Sequence, residues 1–199
     1  FEEFRKRLDA ETRLLGAWLA EGRLESGKRR FGFEVEGWLI DEAGHPAPQN
    51  QAFLRDVDDP LVVPELALFN FEINSAPLLL EGAPLSSMHD ELLTRWRHCE
   101  DCAAALGLRP LMTGILPTVR ASDLTPSNMS PMQRYRAIND QVFRLRHGAP
   151  IVIDIEGAEH LVHRHHDVML ESATTSLQIH VEVDAAESAR AFNVCKMIS

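Results

Sequence analysis

The chain has 199 residues, 45% of them hydrophobic, and 30 acidic residues against 20 basic ones give it a formal net charge of −10. This composition is typical of a globular protein with a sizeable core, and it excludes a disordered chain. The negative charge also argues against DNA and RNA as partners, because nucleic-acid binding depends on basic surfaces that release counterions.

The sequence gives no sign of a membrane segment or a disulfide framework. No apolar stretch approaches the roughly 20 residues that a spanning helix needs, and the first residues, FEEFRKRL, are charged where a signal peptide would be apolar. We therefore predict a cytoplasmic protein without membrane contact. The three cysteines are an odd number, and Cys99 and Cys102 are interpreted as small core residues of a helix rather than zinc ligands.

The amino-terminal half predicts helices and strands in a mixed order. Residues 1–25 carry apolar side chains at three- and four-residue spacing, which is typical of an amphipathic helix. A strand is predicted over 31–40, and a turn-rich loop over 41–51. A second strand is predicted over 65–77, and a second helix over about 84–106.

The carboxyl-terminal half begins with a short strand within 108–119. A helix follows, for which Ser130 is the predicted N-cap, Pro131 the first helical residue and Gly148 the stop signal. The sequence PIVIDIEG, residues 150–157, predicts a further strand bounded by proline and glycine.

The clearest strand pattern lies in TTSLQIHVEVD, residues 174–184, which alternates without a break. Asp184 and Glu187 resemble a capping arrangement for a helix that runs to the end of the sequence. Because strands and helices do not alternate one by one, we predict an α+β fold with a mostly antiparallel sheet and helices packed on one face.

Acidic side chains share a face on several of these strands. Glu34 and Glu36 lie on one face of the first strand with Trp38, and Glu72 shares a face of the second strand with Asn70. We find no lysine or arginine on these polar faces, so adjacent strands would bring like charges together. The face is either simply solvated or a site for a divalent cation such as Mg²⁺ or Mn²⁺. Glycine-rich phosphate-binding motifs are absent from the sequence, so a nucleotide would depend on metal and arginine.

Three of these segments, FGFEVEGWLI, FNFEINSAP and TSLQIHVEVD, resemble in their order the amino-terminal half of bacterial glutamate–cysteine ligases. These enzymes are part of the carboxylate-amine ligase superfamily and have a glutamine-synthetase-like catalytic fold. Two joining segments, SPMQRYRAINDQVFRLRHG and HHDVMLESATTSLQIHVEV, strengthen the likeness, which covers nearly the whole chain. The resemblance implies that residues 1–199 are the amino-terminal part of a single catalytic domain with an antiparallel sheet around an ATP site.

The resemblance also implies a reaction and its small-molecule substrates. ATP would phosphorylate the γ-carboxylate of glutamate, and the amine of cysteine would attack to give γ-glutamylcysteine, the first step of glutathione biosynthesis. The implied cofactors are ATP with Mg²⁺ or Mn²⁺. Because the family's catalytic domain is longer, we expect this chain alone to be inactive. A superfamily ligase with a different amine, and a non-catalytic regulator that binds metal or nucleotide, remain the alternatives.

The likeness assigns roles to individual residues. The implied metal ligands are carboxylates from the first two strands and a histidine from the later one: Glu34, Glu36, Glu72 and His180. Glu65 can join them only through a bulge or bend, because its strand parity is opposite to that of Glu72. Gln178 is a candidate contact to nucleotide or substrate, with simple cross-strand pairing as the alternative.

Two further groups of residues are noted without a selected role. Four histidines in EHLVHRHHD resemble a zinc cluster by number, but we predict a loop there, in which they serve adventitious metal binding or only solubility: His160, His163, His165 and His166. Several arginines are candidates for binding phosphate or the glutamate carboxylate, although most of the helical ones are expected to face solvent: Arg120, Arg134, Arg136, Arg144 and Arg146.

Overall fold

The structure, a computed structural model, describes residues 1–24, 27 and 29–198. The helices of this part are α1 (Glu2–Ala20), α2 (Asn50–Val57), α3 (Pro84–Ala105), α4 (Gln133–Leu145) and α5 (Ser188–Ile198). The strands are β1 (Arg30–Ile40), β2 (Val62–Pro64), β3 (Asn70–Asn74), β4 (Leu78–Leu79), β5 (Arg109–Leu111), β6 (Ile151–Glu156), β7 (His160–His165) and β8 (Leu177–Val181). Within the described residues, no helix is long and apolar enough to span a bilayer.

The chain divides into two compact units. The larger unit contains Gly32–Ala76 and Leu85–Ile179, and the smaller one contains Phe1–Phe31, Pro77–Pro84 and His180–Ser199. The candidate carboxylates Glu34, Glu36, Glu65 and Glu72 all fall within the larger unit.

The sheet of the larger unit is built around β1 and β3. These strands pair antiparallel, with Glu36 opposite Glu72 and Glu34 opposite Asn74. On the far side of β3 lies β2, also antiparallel, and β5 pairs antiparallel with the last residues of β1. The predicted α+β fold with a mostly antiparallel sheet is thus confirmed.

The apolar face of this sheet forms the first core of the larger unit. Phe33, Val35 and Phe71 are buried there and pack with helices α2 and α3. Cys99 on α3 is fully buried in the same core, which confirms its interpretation as a core residue, and burial raises the pKa of its thiol to about 12.

The opposite face of β1 is buried at one end. Trp38, which alternation places with the two glutamates, has no exposed surface and stacks on Phe69 at a ring-centroid distance of 5.4 Å. Tyr135 of α4 and Met169 complete this second core. The face is therefore core at Trp38, whereas Glu34 and Glu36 on the same face are only half-buried.

The structure corrects two predictions of helix ends. Helix α1 ends at Ala20, and Glu25, the predicted last residue, lies outside the described part of the chain. Helix α4 begins at Gln133, and Met132 occupies the N-cap position. Ser130 is not a cap, because its buried hydroxyl donates to the backbone oxygen of Glu65.

Gly148 ends the α4 region as predicted. Its φ of 76° lies in the left-handed region that glycine adopts without strain, and its N–H donates to the carbonyl of Phe143 at 2.8 Å.

The loop predicted for EHLVHRHHD is wrong for most of that segment. Residues His160–His165 form strand β7, which pairs antiparallel with β6 in a two-stranded hairpin. His163 lies opposite Ile153, and His165 lies opposite Ile151. The segment has no regular apolar and polar alternation, so its strand character was not apparent from the sequence.

Within the smaller unit, α5 confirms the predicted terminal helix, although Ser199 lies outside the described residues. The predicted cap is not formed, because the Asp184 side chain makes no capping bond and Glu187 instead accepts from Arg29 at 2.9 Å. The expectation of polar faces without arginine is also wrong, since β1 begins at Arg30, on the face of the glutamates. Its guanidinium lies 3.6 Å from the Glu182 carboxylate, which it neutralises.

Candidate functional site

A cavity of about 430 Å³ opens on the polar side of the sheet in the larger unit. Its wall contains four glutamates: Glu36, Glu65 and Glu72 from the first sheet region, and Glu171 from the segment before β8. Other polar groups in the wall come from β3, α4 and β8: Asn70, Tyr135 and Gln178. Among the described residues, no lysine or arginine lines the cavity, so the wall itself supplies no countercharge to its carboxylates.

Strand pairing and a chain bend place three of these glutamates, Glu36, Glu65 and Glu72, in the wall of one cavity. Glu36 and Glu72 are direct cross-strand partners, so their side chains leave the same face at neighbouring positions. Glu65 precedes β3, and the chain turns between them, held by the N–H of Ser130 donating to Leu66 O and that of Leu68 donating to Asn128 O. Such a bend was predicted to be necessary, because Glu65 and Glu72 have opposite strand parity.

Glu36 is held by hydrogen bonds from the segment that leads into β8. Its two carboxylate oxygens accept from the Ser176 N–H at 2.9 Å and from the Ser176 hydroxyl at 3.0 Å. The Gln178 amide donates to the same carboxylate at 3.5 Å. Gln178, selected from the sequence, thus lies in the cavity wall, and so does Ser176, which was not selected.

Burial and mutual repulsion make Glu65 and Glu72 harder to ionise. Desolvation raises the pKa of Glu72, and the charges of Glu34 and Glu36 raise it further, against a hydrogen bond from Asn74 at 2.8 Å. Desolvation likewise raises the pKa of Glu65, although the Leu66 N–H donates to its carboxylate at 2.6 Å. A bound cation would therefore reduce the electrostatic cost of ionising these two acids.

Arg134 and Tyr135 bring a cationic group to the edge of this acidic group. Arg134 donates to the Tyr135 hydroxyl at 2.6 Å, and that hydroxyl donates to Pro64 O at 3.2 Å. The hydrogen bond to Tyr135 raises the pKa of Arg134, and the charges of Glu65 and Glu72 add to the effect. Prediction from the sequence left Arg134 as one of five candidate arginines without selecting it. It missed Tyr135, the chain's one tyrosine.

A family comparison completes this description of the site. The family model of glutamate-cysteine ligase family 2 (GCS2) matches residues 30–199, which include every carboxylate of the cavity. The chain belongs to glutamate-cysteine ligase family 2. No curated protein and no solved structure matches the chain. Membership in the GCS2 family makes this a ligase-type chain of the carboxylate–amine class that acts on small molecules.

Two of the metal ligands that the family resemblance implies, Glu34 and His180, lie outside the cavity wall. Glu34 sits on β1 opposite Asn74, close enough for its charge to raise the pKa of Glu72. His180 lies on β8 and is part of the smaller unit. The metal-ligand roles of both residues stay predictions.

The glutamates of the cavity suit a hard divalent cation, because carboxylate oxygens are the ligands that Mg²⁺ and Mn²⁺ prefer. Within the described part of the chain, however, no three His, Cys, Asp or Glu side chains converge so that they could hold a metal ion. Glu36, Glu65 and Glu72 instead accept hydrogen bonds from Ser176, Leu66 and Asn74. An ion would have to displace some of these hydrogen bonds.

Proposed function

We propose that this chain carries the metal- and nucleotide-binding wall of an ATP-dependent ligase that joins the γ-carboxylate of glutamate to the amine of cysteine. The observation that carries the proposal is the shared cavity of Glu36, Glu65 and Glu72, three acids from separate parts of the chain. Membership in the GCS2 family supports the ligase class, and the raised pKa values of Glu65 and Glu72 support a cationic occupant.

The proposed reaction has two chemical steps. A γ-carboxylate oxygen of glutamate attacks the terminal phosphorus of ATP, so that a P–O bond forms and the bond to the ADP oxygen breaks. The amine nitrogen of cysteine then attacks the acyl carbon of γ-glutamyl phosphate, a C–N bond forms, and inorganic phosphate leaves with the C–O electron pair. The proton lost by the nitrogen passes to phosphate or solvent.

The cavity residues have defined parts in this proposal. Glu36 and Glu72 would hold the divalent cation together with Glu65 from the far side of the bend, and Glu34 and His180 keep the ligand roles that the family resemblance implies. When bound, Mg²⁺ or Mn²⁺ neutralises charge on the nucleotide phosphates, which is the main requirement of phosphoryl transfer.

Gln178 is the proposed donor to an oxygen of nucleotide or substrate. Its amide is already directed at the Glu36 carboxylate, at 3.5 Å, a long hydrogen bond that a better acceptor could replace. Gln178 thus links the carboxylate wall to the molecule that occupies the cavity.

Phosphate release by the full-length protein with ATP, Mg²⁺ and glutamate tests the proposal. We expect release to depend on cysteine. Release that requires another amine would keep the ligase class and replace the acceptor, whereas no release with any amine tested would overturn the proposal and leave a binding role.

Glu36→Gln is the sharpest variant, because it preserves side-chain shape and acceptor oxygen while removing the charge. We expect it to lower kcat by at least about 100-fold, the order of magnitude for loss of one key electrostatic group. Glu156→Gln on β6 is the matched control, since it removes a carboxylate from an exposed position outside the cavity. Equal losses in both variants would contradict a role for Glu36 in the reaction.

A further inference from the structure

His163 and His165 form a close pair on the β6–β7 hairpin. Their Nε2 atoms are 2.6 Å apart, and their rings meet edge to face at a centroid distance of 4.4 Å. Positions two apart in a strand share one face, so the backbone of β7 itself directs both imidazoles to the same place. The pair lies in the larger unit, and neither histidine is part of the glutamate cavity wall.

The surrounding structure fixes one histidine and leaves the other adjustable. His165 is buried, with 6% of its surface exposed, next to the 3₁₀ helix Val168–Ala173 that follows the hairpin. Its Nδ1 lies 3.9 Å from the carboxylate of Asp167, which itself accepts from the Met169 N–H at 3.0 Å. His163 is only half-buried, so its ring can rotate without disturbing the core.

The other histidines of this segment differ from the pair. His160 has the opposite strand parity, and its Nε2 lies 2.7 Å from Asp154 at the turn end of the hairpin. His166 follows the last residue of β7 and is exposed. Four histidines close in sequence therefore resolve into one contacting pair and two separate side chains.

We propose that His163 and His165 chelate a divalent transition-metal ion of the Zn²⁺, Ni²⁺ or Cu²⁺ class through their two Nε2 atoms. Imidazole nitrogens favour these metals, whereas carboxylates favour Mg²⁺, so the site differs in chemistry from the glutamate cavity. Metal–nitrogen distances of about 2.0–2.1 Å place two ligand nitrogens about 3 Å apart. The present 2.6 Å separation reaches that value by a small rotation of His163.

The remaining coordination positions belong to water. Within the described residues, no third His, Cys, Asp or Glu joins the pair as a ligand. Asp167 stands on the Nδ1 side of His165, where a carboxylate orients a ligating imidazole and increases its basicity. The half-buried position of His163 keeps the open positions accessible from solvent.

Calorimetric titration of the tag-free protein with Zn²⁺, in excess Mg²⁺ to occupy carboxylate sites, tests this proposal. We expect one ion per chain, and at least tenfold weaker binding in both His163→Ala and His165→Ala. His160→Ala and His166→Ala are the matched controls and should bind as the wild type does. Unchanged binding in the first two variants, or equal weakening in all four, would overturn the proposal.

A spectroscopic readout separates ligation from damage to the fold. Because His165 is buried, His165→Ala could destabilise the hairpin, so His163→Gln serves as a second variant, at the half-buried partner. Zn²⁺ should shift the ring ¹⁵N resonances of His163 and His165 and leave those of His160 and His166 in place. Shifts spread over all the histidines, or confined to His160 and His166, would contradict the pair as the site. This outcome is independent of ligase turnover.

Discussion

At the scale of single residues, Glu72 carries the clearest electrostatic conflict in the chain. It lies directly opposite Glu36 across two paired strands, and burial together with the charges of Glu34 and Glu36 raises its pKa. Because the pKa of Glu72 is higher in the folded protein than in the unfolded chain, neutral Glu72 makes its full contribution to stability at low pH. That contribution is lost as the pH rises through the raised pKa.

We expect Glu72→Gln to increase the free energy of unfolding at pH 7 in metal-free buffer. The gain should be at most about 1 kcal/mol, since the group is partly exposed and solvent screens the repulsion. Near pH 4 the two proteins should have equal stability. Urea denaturation at both pH values measures the difference, with Glu156→Gln as control, and a loss of stability at pH 7 would contradict the repulsion.

Two buried asparagines differ in how well they are satisfied. The Asn50 amide nitrogen shares its two N–H groups among three acceptors, Ala67 O, Asn70 O and Ser130 Oγ, each at 3.1 Å, whereas its Oδ1 has no partner among the described residues. Both side-chain polar atoms of Asn70, by contrast, are buried and have no partner among the described residues. Asn50 thus fastens the bend that places Glu65, whereas Asn70 is an unsatisfied amide in the cavity wall.

We therefore expect Asn50→Ala to cost about 2–4 kcal/mol of unfolding free energy, because it leaves buried acceptors without their donor. Asn70→Ala should cost less than about 1.5 kcal/mol, since removal of an unpartnered amide relieves a desolvation penalty. Denaturant unfolding of both variants measures the contrast. Equal losses would show that Asn70 has a stabilising partner after all.

At the scale of elements, Gly37 sets the close approach of β1 to the side chain of Phe71. A Cβ at position 37 would lie 2.6 Å from a ring carbon of Phe71, which is fully buried. We expect Gly37→Ala to lower stability by about 1–3 kcal/mol through overpacking. Gly114→Ala is the control, since a Cβ there meets no atom within 4 Å, and similar melting temperatures for both variants would contradict this account.

An ion pair fastens α3 to the turn before β2. Arg95 donates to Asp59 at 2.7 Å and to Glu91 at 2.9 Å, and its side chain is only 15% exposed. Burial tends to raise the pKa of Asp59, but hydrogen bonds from Arg95 and the Leu61 N–H outweigh it, so the pKa is lowered. A lowered pKa contributes stability above the unfolded value, and that stability is lost as the pH falls through the folded one.

Asp59→Asn should accordingly destabilise the protein at pH 7 by about 1–3 kcal/mol, because Arg95 keeps its charge in a partly buried place. The difference from the wild type should shrink as the pH falls below 4, where the wild-type carboxyl also becomes neutral. Thermal unfolding across this range measures the effect. Asp90→Asn, at an exposed position on α3, the helix that carries Arg95, should change stability little at any pH.

Alternation and helix periodicity predicted β1, β3 and α3 of the first core, but they missed α2, whose first residues lie in the predicted loop, and the short strand β2. They failed where a residue's role depends on distant parts of the chain. Trp38 is core because α4 covers it, and Ser130 bonds to Glu65 O and Asn50 instead of capping a helix. The acids were selected from strand parity and family likeness, whereas Arg134 and Tyr135 approach from a helix whose placement no local pattern determines.

At the scale of the whole molecule, the net charge of −10 means that any salt should stabilise the folded chain by screening repulsion. A specific divalent site adds a further term, because an ion that binds the folded state alone stabilises it by about 1.4 kcal/mol at ten times its dissociation constant. On the proposed metal role of Glu36, we expect Mg²⁺ to raise the melting temperature by about 2–5 °C more than NaCl at equal ionic strength.

Two variants test whether the additional stabilisation by Mg²⁺ over NaCl arises at the glutamate cavity. Glu36→Gln should abolish most of the Mg²⁺ excess and leave the NaCl response intact, because it removes one charge from the cavity and hardly changes the overall charge. Glu156→Gln, with the same change in net charge, should keep the full excess. Differential scanning calorimetry of the three proteins in both salts makes the measurement. Identical Mg²⁺ and NaCl curves for the wild type would mean that the acids respond only to screening, as a solvated face does.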